Sequence, residues 1–280
     1  MRYTGLLLSL ALLIYAIVPI NSQVSPAGAS TEVLLSIGMS NAAGEWCGIQ
    51  RGCVQGQGAS FMVKAQPLTS LVLVNGAQGS TYPSDWLGSR IYDVVRDQRL
   101  APLGATEANV RYIWWKPNTL ITISEMLGEL AMFEARYPNL IQVTVQGRTY
   151  GGYATNGDRG EPLAYDTWAR IDELLLTYSG RLQLTRGPYW WNASDPREWY
   201  ATDGIHPSAL GIDARSSQLL DFFQAQPWFA GAPLGSVTPT NTPTMTSTPS
   251  ATKTPQPTRT PGPTRTPTAR QGGGGGPGRR

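Results

Sequence analysis

The sequence is poor in the residues that usually bind metal ions. Its 280 residues include one histidine, His206, and two cysteines, Cys47 and Cys53. A zinc site needs three or four Cys, His, Asp or Glu ligands, and a single imidazole with scattered carboxylates meets that need poorly. A P-loop and a dinucleotide-binding fingerprint are also missing from the sequence. We therefore expect neither a metal nor a cofactor.

Charged residues are few, at 15% of the chain. The formal net charge of +3 arises from the C-terminal end, because the positions from Ser236 onward hold six basic residues and no acidic one. The rest of the chain has more acidic than basic side chains, so it has no electrostatic reason to bind a polyanion. Since helix-turn-helix, zinc-finger and RNA-binding signatures are lacking too, we expect no nucleic-acid partner.

Only one long apolar run is present, from Leu6 to Ile20, behind Arg2 and ahead of the small residues Ala27 and Ala29. This layout is typical of a secretory signal with an A-x-A cleavage site. The run is shorter than the roughly 20 residues that a membrane-spanning helix needs. We predict a signal peptide over residues 1–29, with a retained N-terminal membrane anchor as the alternative. The protein is then secreted or held at the cell surface.

The C-terminal segment 236–280 consists largely of Thr, Pro and Gly, with T-R-T-P repeats and a terminal Gly run. Such a composition brings too little apolar surface to offset the entropy lost on ordering. We predict a disordered tail, which resembles the tails of surface proteins in some bacteria. Envelope association through this tail, or through the N-terminal segment, is an open expectation.

The two cysteines lie in one short loop, C-G-I-Q-R-G-C. An exported protein enters an oxidising compartment, in which neighbouring thiols pair. We predict a disulfide between Cys47 and Cys53 that fixes the loop near Ser40, with two free thiols as the alternative.

Residues 30–235 alternate short apolar runs with amphipathic ones. Strands are predicted at 32–37, 71–74, 110–115 and 140–145, with a weaker one at 181–184, and helices at 86–99, 121–137, 165–178 and 208–223. This order predicts an α/β fold, a three-layer α/β/α sandwich around a mostly parallel, flavodoxin-like sheet of about five strands. Ligands of such sheets bind beyond the carboxyl ends of the strands, so the loops there hold the candidate site.

Ser40 follows the first predicted strand in the tetrapeptide Gly38-Met39-Ser40-Asn41. A serine at a strand's carboxyl end, near a helix N-terminus, suits a nucleophile because backbone N–H groups there can bind an oxyanion. A serine after a glycine is also a common turn or N-cap residue, so the tetrapeptide alone decides little.

The sole histidine lies in Asp203-Gly204-Ile205-His206-Pro207, ahead of the last predicted helix. A serine hydroxyl becomes a good nucleophile when an imidazole takes its proton, and a carboxylate orients that imidazole. Asp203 is close enough in sequence for this contact. An isolated D-x-x-H is more often a turn with a capping histidine, but here it accompanies a candidate nucleophile.

Together, the G-M-S-N and D-G-I-H-P blocks resemble the first and last blocks of the SGNH (GDSL-type) hydrolases, over about residues 31–226. The resemblance implies a serine esterase in which Ser40 is the nucleophile, His206 the base and Asp203 the residue that orients the imidazole. Met39 stands where the family usually has Asp, and G-x-S-N is similar to the opening block of sialate and xylan O-acetylesterases. The expected activity is carbohydrate O-acetylesterase or small-ester esterase.

The resemblance also implies an oxyanion hole built from the Ser40 backbone, a glycine after the second strand and an asparagine after the third. Gly79 matches the glycine better than Gly76 does, although either glycine could serve only the turn. The family's G-x-N-D is replaced by W-W-K-P-N, so Asn118 is the candidate asparagine and Lys116 its alternative.

Aromatic residues crowd the approach to Asp203, namely Tyr189, Trp190, Trp191, Trp199 and Tyr200. They could stack on sugar rings or belong to the core. The Gly-rich loop 148–159 could cover the site or be an ordinary connection. A non-catalytic cell-surface carbohydrate-binding module is therefore the rival function, and a lipase or thioesterase of the same fold is the rival substrate class.

Overall fold

The computed structural model describes residues 31–50, 53–149, 152–154, 163–190, 192 and 194–230. The predicted signal peptide and the predicted tail lie outside this part of the chain, as does most of the 148–159 loop. Of the helices in the described part, none combines the length and the apolar character that spanning a membrane requires.

Five parallel strands form a single sheet, which confirms the predicted α/β fold and its parallel sheet. Their order across the sheet is β2-β1-β3-β4-β5. The strands are β1 (Val33–Gly38), β2 (Val72–Asn75), β3 (Val110–Lys116), β4 (Gln142–Val145) and β5 (Gln183–Arg186). β2 and β3 lie on opposite sides of β1. The chain segments that leave neighbouring strands at this point therefore lead to opposite sides of β1. This divergence opens a crevice where open α/β sheets bind their ligands.

Helices pack in two groups, one on each face of the sheet. The first group contains α1 (Ser40–Cys47), α2 (Phe61–Ala65) and α7 (Ala209–Gln224). The second contains α3 (Pro83–Trp86), α4 (Ser89–Val95), α5 (Ile123–Arg136) and α6 (Leu163–Thr177). Short 3₁₀ turns at Gln66–Leu68, Ala101–Leu103, Glu107–Asn109 and Arg197–Trp199, and a π turn at Arg96–Leu100, complete the connections.

Two consecutive tryptophans of β3 show how the three layers are held together. Side chains of neighbouring strand residues point to opposite faces of a sheet. Trp114 stacks on Trp46 of α1 at a ring distance of 5.4 Å, whereas Trp115 meets Phe133 of α5 edge-on, also at 5.4 Å. All four side chains are buried. The apolar run of β3 thus supplies core to both helical layers, as a parallel strand buried on both faces must.

The helix predicted at 86–99 is the main error in the secondary structure. The chain instead forms two short helices, α3 and α4, followed by the π turn. Gly88 lies between the helices in an extended conformation and is the N-cap of α4, so the helical hydrogen bonding is interrupted there. The other three predicted helices correspond to α5, α6 and α7, whereas α1 and α2 were not predicted as helices.

Candidate active site

A cavity of about 720 Å³ lies in the described part of the chain, at the carboxyl ends of the strands. Ser40 and His206, which are 166 residues apart in sequence, both line it. Its other lining residues are mostly polar and uncharged, and they include Asn41, Gln50, Gln78, Ser80, Thr81, Asn118 and Thr119. The cavity is therefore at the position that the strand order predicts for a ligand.

Ser40 is the first residue of α1 and follows β1 after a turn of one residue. The turn requires Gly38, because a Cβ at this position would lie 2.6 Å from the Lys116 carbonyl oxygen and 2.8 Å from the Ala42 Cβ. This close approach lets the chain pass directly from the strand into the helix. The Ser40 side chain then stands at the helix N-terminus, where backbone N–H groups point toward the cavity.

The loop that carries Asp203 and His206 is held at its base by an antiparallel bridge between Tyr200 and Pro207. The Ala201 N–H donates to the His206 carbonyl oxygen at 2.8 Å. Gly204 adopts a φ of +67°, and a Cβ there would lie 1.8 Å from the Tyr153 carbonyl oxygen. The D-G-I-H sequence thus needs its glycine for both the backbone conformation and the packing.

The two carboxylate oxygens of Asp203 have different partners. Oδ1 accepts backbone N–H groups from Ile205 at 2.9 Å and from His206 at 3.0 Å, which shapes the loop. Oδ2 lies 2.6 Å from His206 Nδ1. Partial burial raises the pKa of Asp203, but the hydrogen bonds from the His206 ring and from both N–H groups lower it by more. The net pKa is below the ordinary value, so the carboxylate is ionised at neutral pH.

The hydroxyl and the imidazole meet in the cavity. Ser40 Oγ lies 2.8 Å from His206 Nε2. A second link joins the same two segments, because the Asn41 side-chain amide donates to the Ile205 carbonyl oxygen at 3.0 Å. The contacts from Ser40 to His206 to Asp203 have the geometry in which an imidazole can take a serine proton. Sequence reasoning included Asn41 in its motif but missed this positioning role.

Gly79 and Gly76 differ in their surroundings. The Gly76 N–H donates to the Ser36 carbonyl oxygen at 2.9 Å, so it is not available to an oxyanion. Gly79 lines the cavity, and a Cβ there would lie 2.7 Å from the Gln50 carbonyl oxygen and 3.7 Å from the Ser40 Cβ. Gly79 is therefore the better placed of the two predicted glycines.

Asn118 lines the cavity after β3, and its side chain is fixed by the loop that follows it. Its Oδ1 accepts the Leu120 N–H at 3.0 Å, while its Nδ2 makes only a long 3.5 Å contact with the Thr81 carbonyl oxygen. With Oδ1 held by the backbone, the amide nitrogen is the atom that can donate into the cavity. Asn118 keeps its candidate role as an oxyanion donor.

Lys116 does not line the cavity and cannot replace Asn118. Its Nζ donates to both carboxylate oxygens of Glu45 and to Thr149 Oγ1, each at 2.6 Å. The lysine and glutamate side chains are 4% and 0% exposed. Burial lowers the pKa of Lys116 to about 8, against the opposing effect of Glu45. Because Glu45 and Thr149 already bind the ammonium group, Asn118 is the better candidate of the two.

Of the five aromatic residues near Asp203, Trp190 and Tyr200 are buried, whereas Tyr189 is 51% exposed. Trp190 is buried against Trp114, and the Tyr200 hydroxyl donates to buried Asp195 at 2.7 Å. Neither lines the cavity, and Trp191 is outside the described residues. Tyr82, which sequence reasoning did not single out, is the aromatic lining residue and is 61% exposed.

The disulfide is present between Cys47, the last residue of α1, and Cys53. Between them lies Gln50, which lines the cavity and whose carbonyl oxygen approaches Gly79. The cross-link thus restrains the loop that carries one side of the site. Of the predicted loop 148–159, Arg148 lines the cavity, but nothing in the described residues tests a covering role.

Among the described residues, no group of three or more His, Cys, Asp or Glu side chains is arranged to hold a metal ion. The site brings together several side-chain and backbone groups. These are a hydroxyl with an adjacent imidazole, a carboxylate behind the imidazole, and amide donors from the nearby loops.

No family model and no curated protein matches the chain. Similar solved structures include the salicylyl-acyltransferase SsfX3 from a tetracycline biosynthetic pathway, at 13% identity and a TM-score of 0.48. A candidate SGNH hydrolase from Slackia heliotrinireducens has 12% identity and a TM-score of 0.47. The lipase Lip_vut3 from a goat rumen metagenome has 14% identity and a TM-score of 0.44.

The match to the acyltransferase covers 71% of this chain, and the matches to the hydrolase and to the lipase each cover 69%. They cover 98% of the hydrolase and of the lipase, whereas the chain spans only about half, 55%, of the acyltransferase. Independently of these likenesses, β1 leads into Ser40 and the Asp203–His206 loop precedes the last helix.

Proposed function

We propose that this protein is a serine esterase that uses Ser40, His206 and Asp203. The observation that carries the proposal is the pair of short contacts at the cavity, 2.8 Å from Ser40 Oγ to His206 Nε2 and 2.6 Å from His206 Nδ1 to Asp203 Oδ2. These contacts place the imidazole where it can take the serine proton and the carboxylate where it can orient the imidazole.

In the acylation half of the reaction, Ser40 Oγ attacks the ester carbonyl carbon while His206 Nε2 takes the hydroxyl proton. The carbonyl oxygen becomes an oxyanion, which accepts hydrogen bonds from the Ser40 and Gly79 N–H groups and from Asn118 Nδ2. The bond to the alcohol oxygen then breaks, and His206 returns the proton to the departing alcohol. Asp203 stabilises the imidazolium throughout.

In the deacylation half, a water molecule replaces the alcohol. His206 takes a proton from the water as its oxygen attacks the acyl carbon, and the bond to Ser40 Oγ breaks as the proton passes to that oxygen. The products are a carboxylic acid and the free enzyme. Protons move only between Ser40, His206, the departing alcohol and water, while Asp203 stays ionised.

The lining of the cavity favours a polar substrate with a short acyl group. Amide and hydroxyl side chains dominate it, and only a few apolar side chains, such as Met39, Leu120 and Ile205, interrupt them. A long acyl chain would place methylene groups against unpaired polar groups, which costs free energy. Acetylated carbohydrates fit better than lipids or acyl thioesters. Faster hydrolysis of octanoate than of acetate esters would contradict this substrate class.

A fluorophosphonate probe and p-nitrophenyl acetate test the mechanism directly. The wild-type protein should be labelled at Ser40, and Ser40→Ala should lose both labelling and hydrolysis while retaining its thermal unfolding temperature. Ser80→Ala is the matched control, since Ser80 lines the same cavity whereas the His206 imidazole is hydrogen-bonded to Ser40, and the variant should still be labelled at Ser40. A carbohydrate-binding module would not react with the probe, and hydrolysis by Ser40→Ala would disprove the assignment.

We also propose that the enzyme works outside the cytoplasm. The predicted signal peptide and the Cys47–Cys53 disulfide both support this location, because disulfides persist in oxidising compartments. N-terminal sequencing of the native protein from the envelope or medium should find a start near Ser30. A full-length chain confined to the cytoplasm would refute export.

A further inference from the structure

Arg197 binds the stretch of backbone that leads directly into Asp203. Its guanidinium donates to three consecutive carbonyl oxygens, those of Tyr200 and Ala201 at 2.8 Å each and that of Thr202 at 3.1 Å. A guanidinium suits this task because it presents five N–H donors in a fixed planar fork. Arg197 does not line the cavity, and neither half of the proposed reaction uses its side chain.

The backbone that Arg197 binds also determines where His206 lies. Ala201 donates its N–H to the His206 carbonyl oxygen at 2.8 Å, and its own carbonyl oxygen accepts the Gly204 N–H at 2.9 Å. Asp203 lies between these two contacts in the sequence. The guanidinium therefore holds the peptide groups from which both the carboxylate and the imidazole project.

The Arg197 side chain is itself held in place. Its Cζ lies over the Tyr153 ring, 5.5 Å from the ring centre, and the Tyr153 hydroxyl donates to the Asp195 carbonyl oxygen at 2.7 Å. The backbone of Arg197 opens the 3₁₀ turn that ends at Trp199, whose carbonyl oxygen accepts the N–H of Ser208, the N-cap of α7, at 2.9 Å. The fork is thus fixed at the side chain and at the backbone.

The exposure of Arg197 separates a role in positioning from a role in folding. The residue is exposed, so water can hydrogen-bond to the three carbonyl oxygens when the side chain is shortened. The fold should then persist, but separate water molecules do not hold three peptide groups in one arrangement as a rigid fork does. A misplacement of about 1 Å near a reacting group can cost about 100-fold in rate. Removal of the guanidinium should therefore affect the rate more than the fold.

We propose that Arg197 is a positioning residue for the Asp203–His206 pair, which it orients by clamping the three carbonyl groups ahead of Asp203. The inference rests on the proposed esterase function and adds to it a residue outside the cavity. Because the clamp orients the imidazole without touching the substrate, its loss should lower kcat and leave KM nearly unchanged.

The test compares two exposed arginines that each bind three backbone carbonyl groups. Arg181 donates to those of Glu134, Tyr137 and Leu140, and none of these residues lines the cavity. With p-nitrophenyl acetate, Arg197→Gln should lower kcat by roughly tenfold or more, with KM within about threefold of wild type. Arg181→Gln loses the same kind of contacts and should keep kcat within about twofold of wild type.

Two outcomes of this comparison would overturn the positioning role. One is wild-type kcat in a folded Arg197→Gln variant, with folding checked by thermal unfolding. The other is an equal loss of kcat in Arg181→Gln, since a general loosening of the fold would then explain both results.

Arg197→Lys provides a second test, and it applies even if Arg197→Gln does not fold. Lysine keeps the positive charge but replaces the planar fork by a single ammonium group on a flexible stem. Its kcat should therefore stay at least about fivefold below wild type. Full activity in Arg197→Lys would mean that charge alone suffices, and it would overturn the clamp.

The rate of fluorophosphonate labelling at Ser40 gives an independent measurement. Labelling also requires His206 to take the serine proton, so both Arg197 variants should be labelled more slowly, by about the factor that their kcat falls. An unchanged labelling rate would contradict the positioning role. If the wild-type protein neither reacted with the probe nor hydrolysed p-nitrophenyl acetate, the proposed function itself would be refuted.

Discussion

At the scale of single residues, Asp203 illustrates how one side chain serves both the loop and the proposed chemistry. Its Oδ1 holds the turn through two backbone N–H groups, and its Oδ2 holds the His206 ring. A carboxylate can accept at both oxygens, whereas an amide has one oxygen and a donating nitrogen. Replacing Asp203 by Asn therefore affects the two sets of contacts differently.

Asp203→Asn should lower kcat by roughly 100- to 1,000-fold while KM stays within a few-fold of wild type. The amide oxygen can keep the turn, but the amide nitrogen would face His206 Nδ1 and favour the wrong tautomer. A fully buried aspartate in this role is worth about 10⁴-fold, and here the carboxylate is 40% exposed, so water can partly replace it. Steady-state kinetics with p-nitrophenyl acetate measures the effect, and wild-type kcat in Asp203→Asn would remove Asp203 from the mechanism.

The residues of the proposed triad could be predicted because each belongs to a local motif that the chemistry restricts. A single histidine left one candidate base, and D-x-x-H placed a carboxylate beside it. Arg148 and Tyr82 could not be predicted in the same way, because reaching the cavity depends on how two loops fold over the sheet edge. No short pattern in the sequence encodes that.

At the scale of elements, α1 is connected to two neighbouring loops by a buried ion pair. Glu45 of α1 contacts Lys116 at the end of β3, and Thr149 after β4 contacts both. The helix that presents Ser40 is thereby fixed to the segments that carry Asn118 and Arg148. A buried ion pair of this kind adds little net free energy to folding. Removing only one of its two partners is strongly destabilising, because the other charge is left buried without compensation.

Lys116→Met should destabilise the protein by about 3 kcal/mol or more, because it leaves the Glu45 carboxylate buried without its partner. The double variant Glu45→Gln/Lys116→Met should recover at least about 1 kcal/mol of that loss, since no unpaired charge remains. Urea unfolding of the three proteins measures both changes. If the double variant were less stable than Lys116→Met, the ion pair would not explain the loss.

The strands were predicted to within two residues because apolar runs between turn residues leave few alternatives. The prediction of one helix at 86–99 was wrong because the apolar spacing continues across Gly88, where the backbone leaves the helical conformation. Helix α1 was missed because it is only eight residues long and is buried almost all round, so it has no solvent-exposed face to produce a long periodic pattern. Periodicity detects half-buried helices best.

At the scale of the whole molecule, the core of the second helical layer contains an acidic group. Glu129 of α5 is 2% exposed. Burial raises its pKa to about 8, although a hydrogen bond from Trp115 acts in the opposite direction. Folding therefore holds this carboxyl neutral over a pH range in which the unfolded chain would ionise it. The free energy of unfolding should therefore depend on pH in part through Glu129.

The sign of that dependence follows from proton binding in the two states. Between pH 4.5, the ordinary pKa of this carboxyl, and about pH 8, the folded state keeps the Glu129 proton and the unfolded state releases it. Stability therefore falls as pH rises through this window, by up to about 1.4 kcal/mol for each pH unit. Glutamine is neutral in both states and retains an acceptor for Trp115, so it removes the penalty.

Glu129→Gln should accordingly raise the thermal unfolding temperature by on the order of 10 °C at about pH 8, and by much less at about pH 5. Glu173→Gln on the exposed side of α6 is the matched control and should change it little at either pH. Calorimetry of the three proteins at both pH values makes the comparison. An equal increase at the two pH values would mean that packing, and not the buried carboxyl, sets the difference.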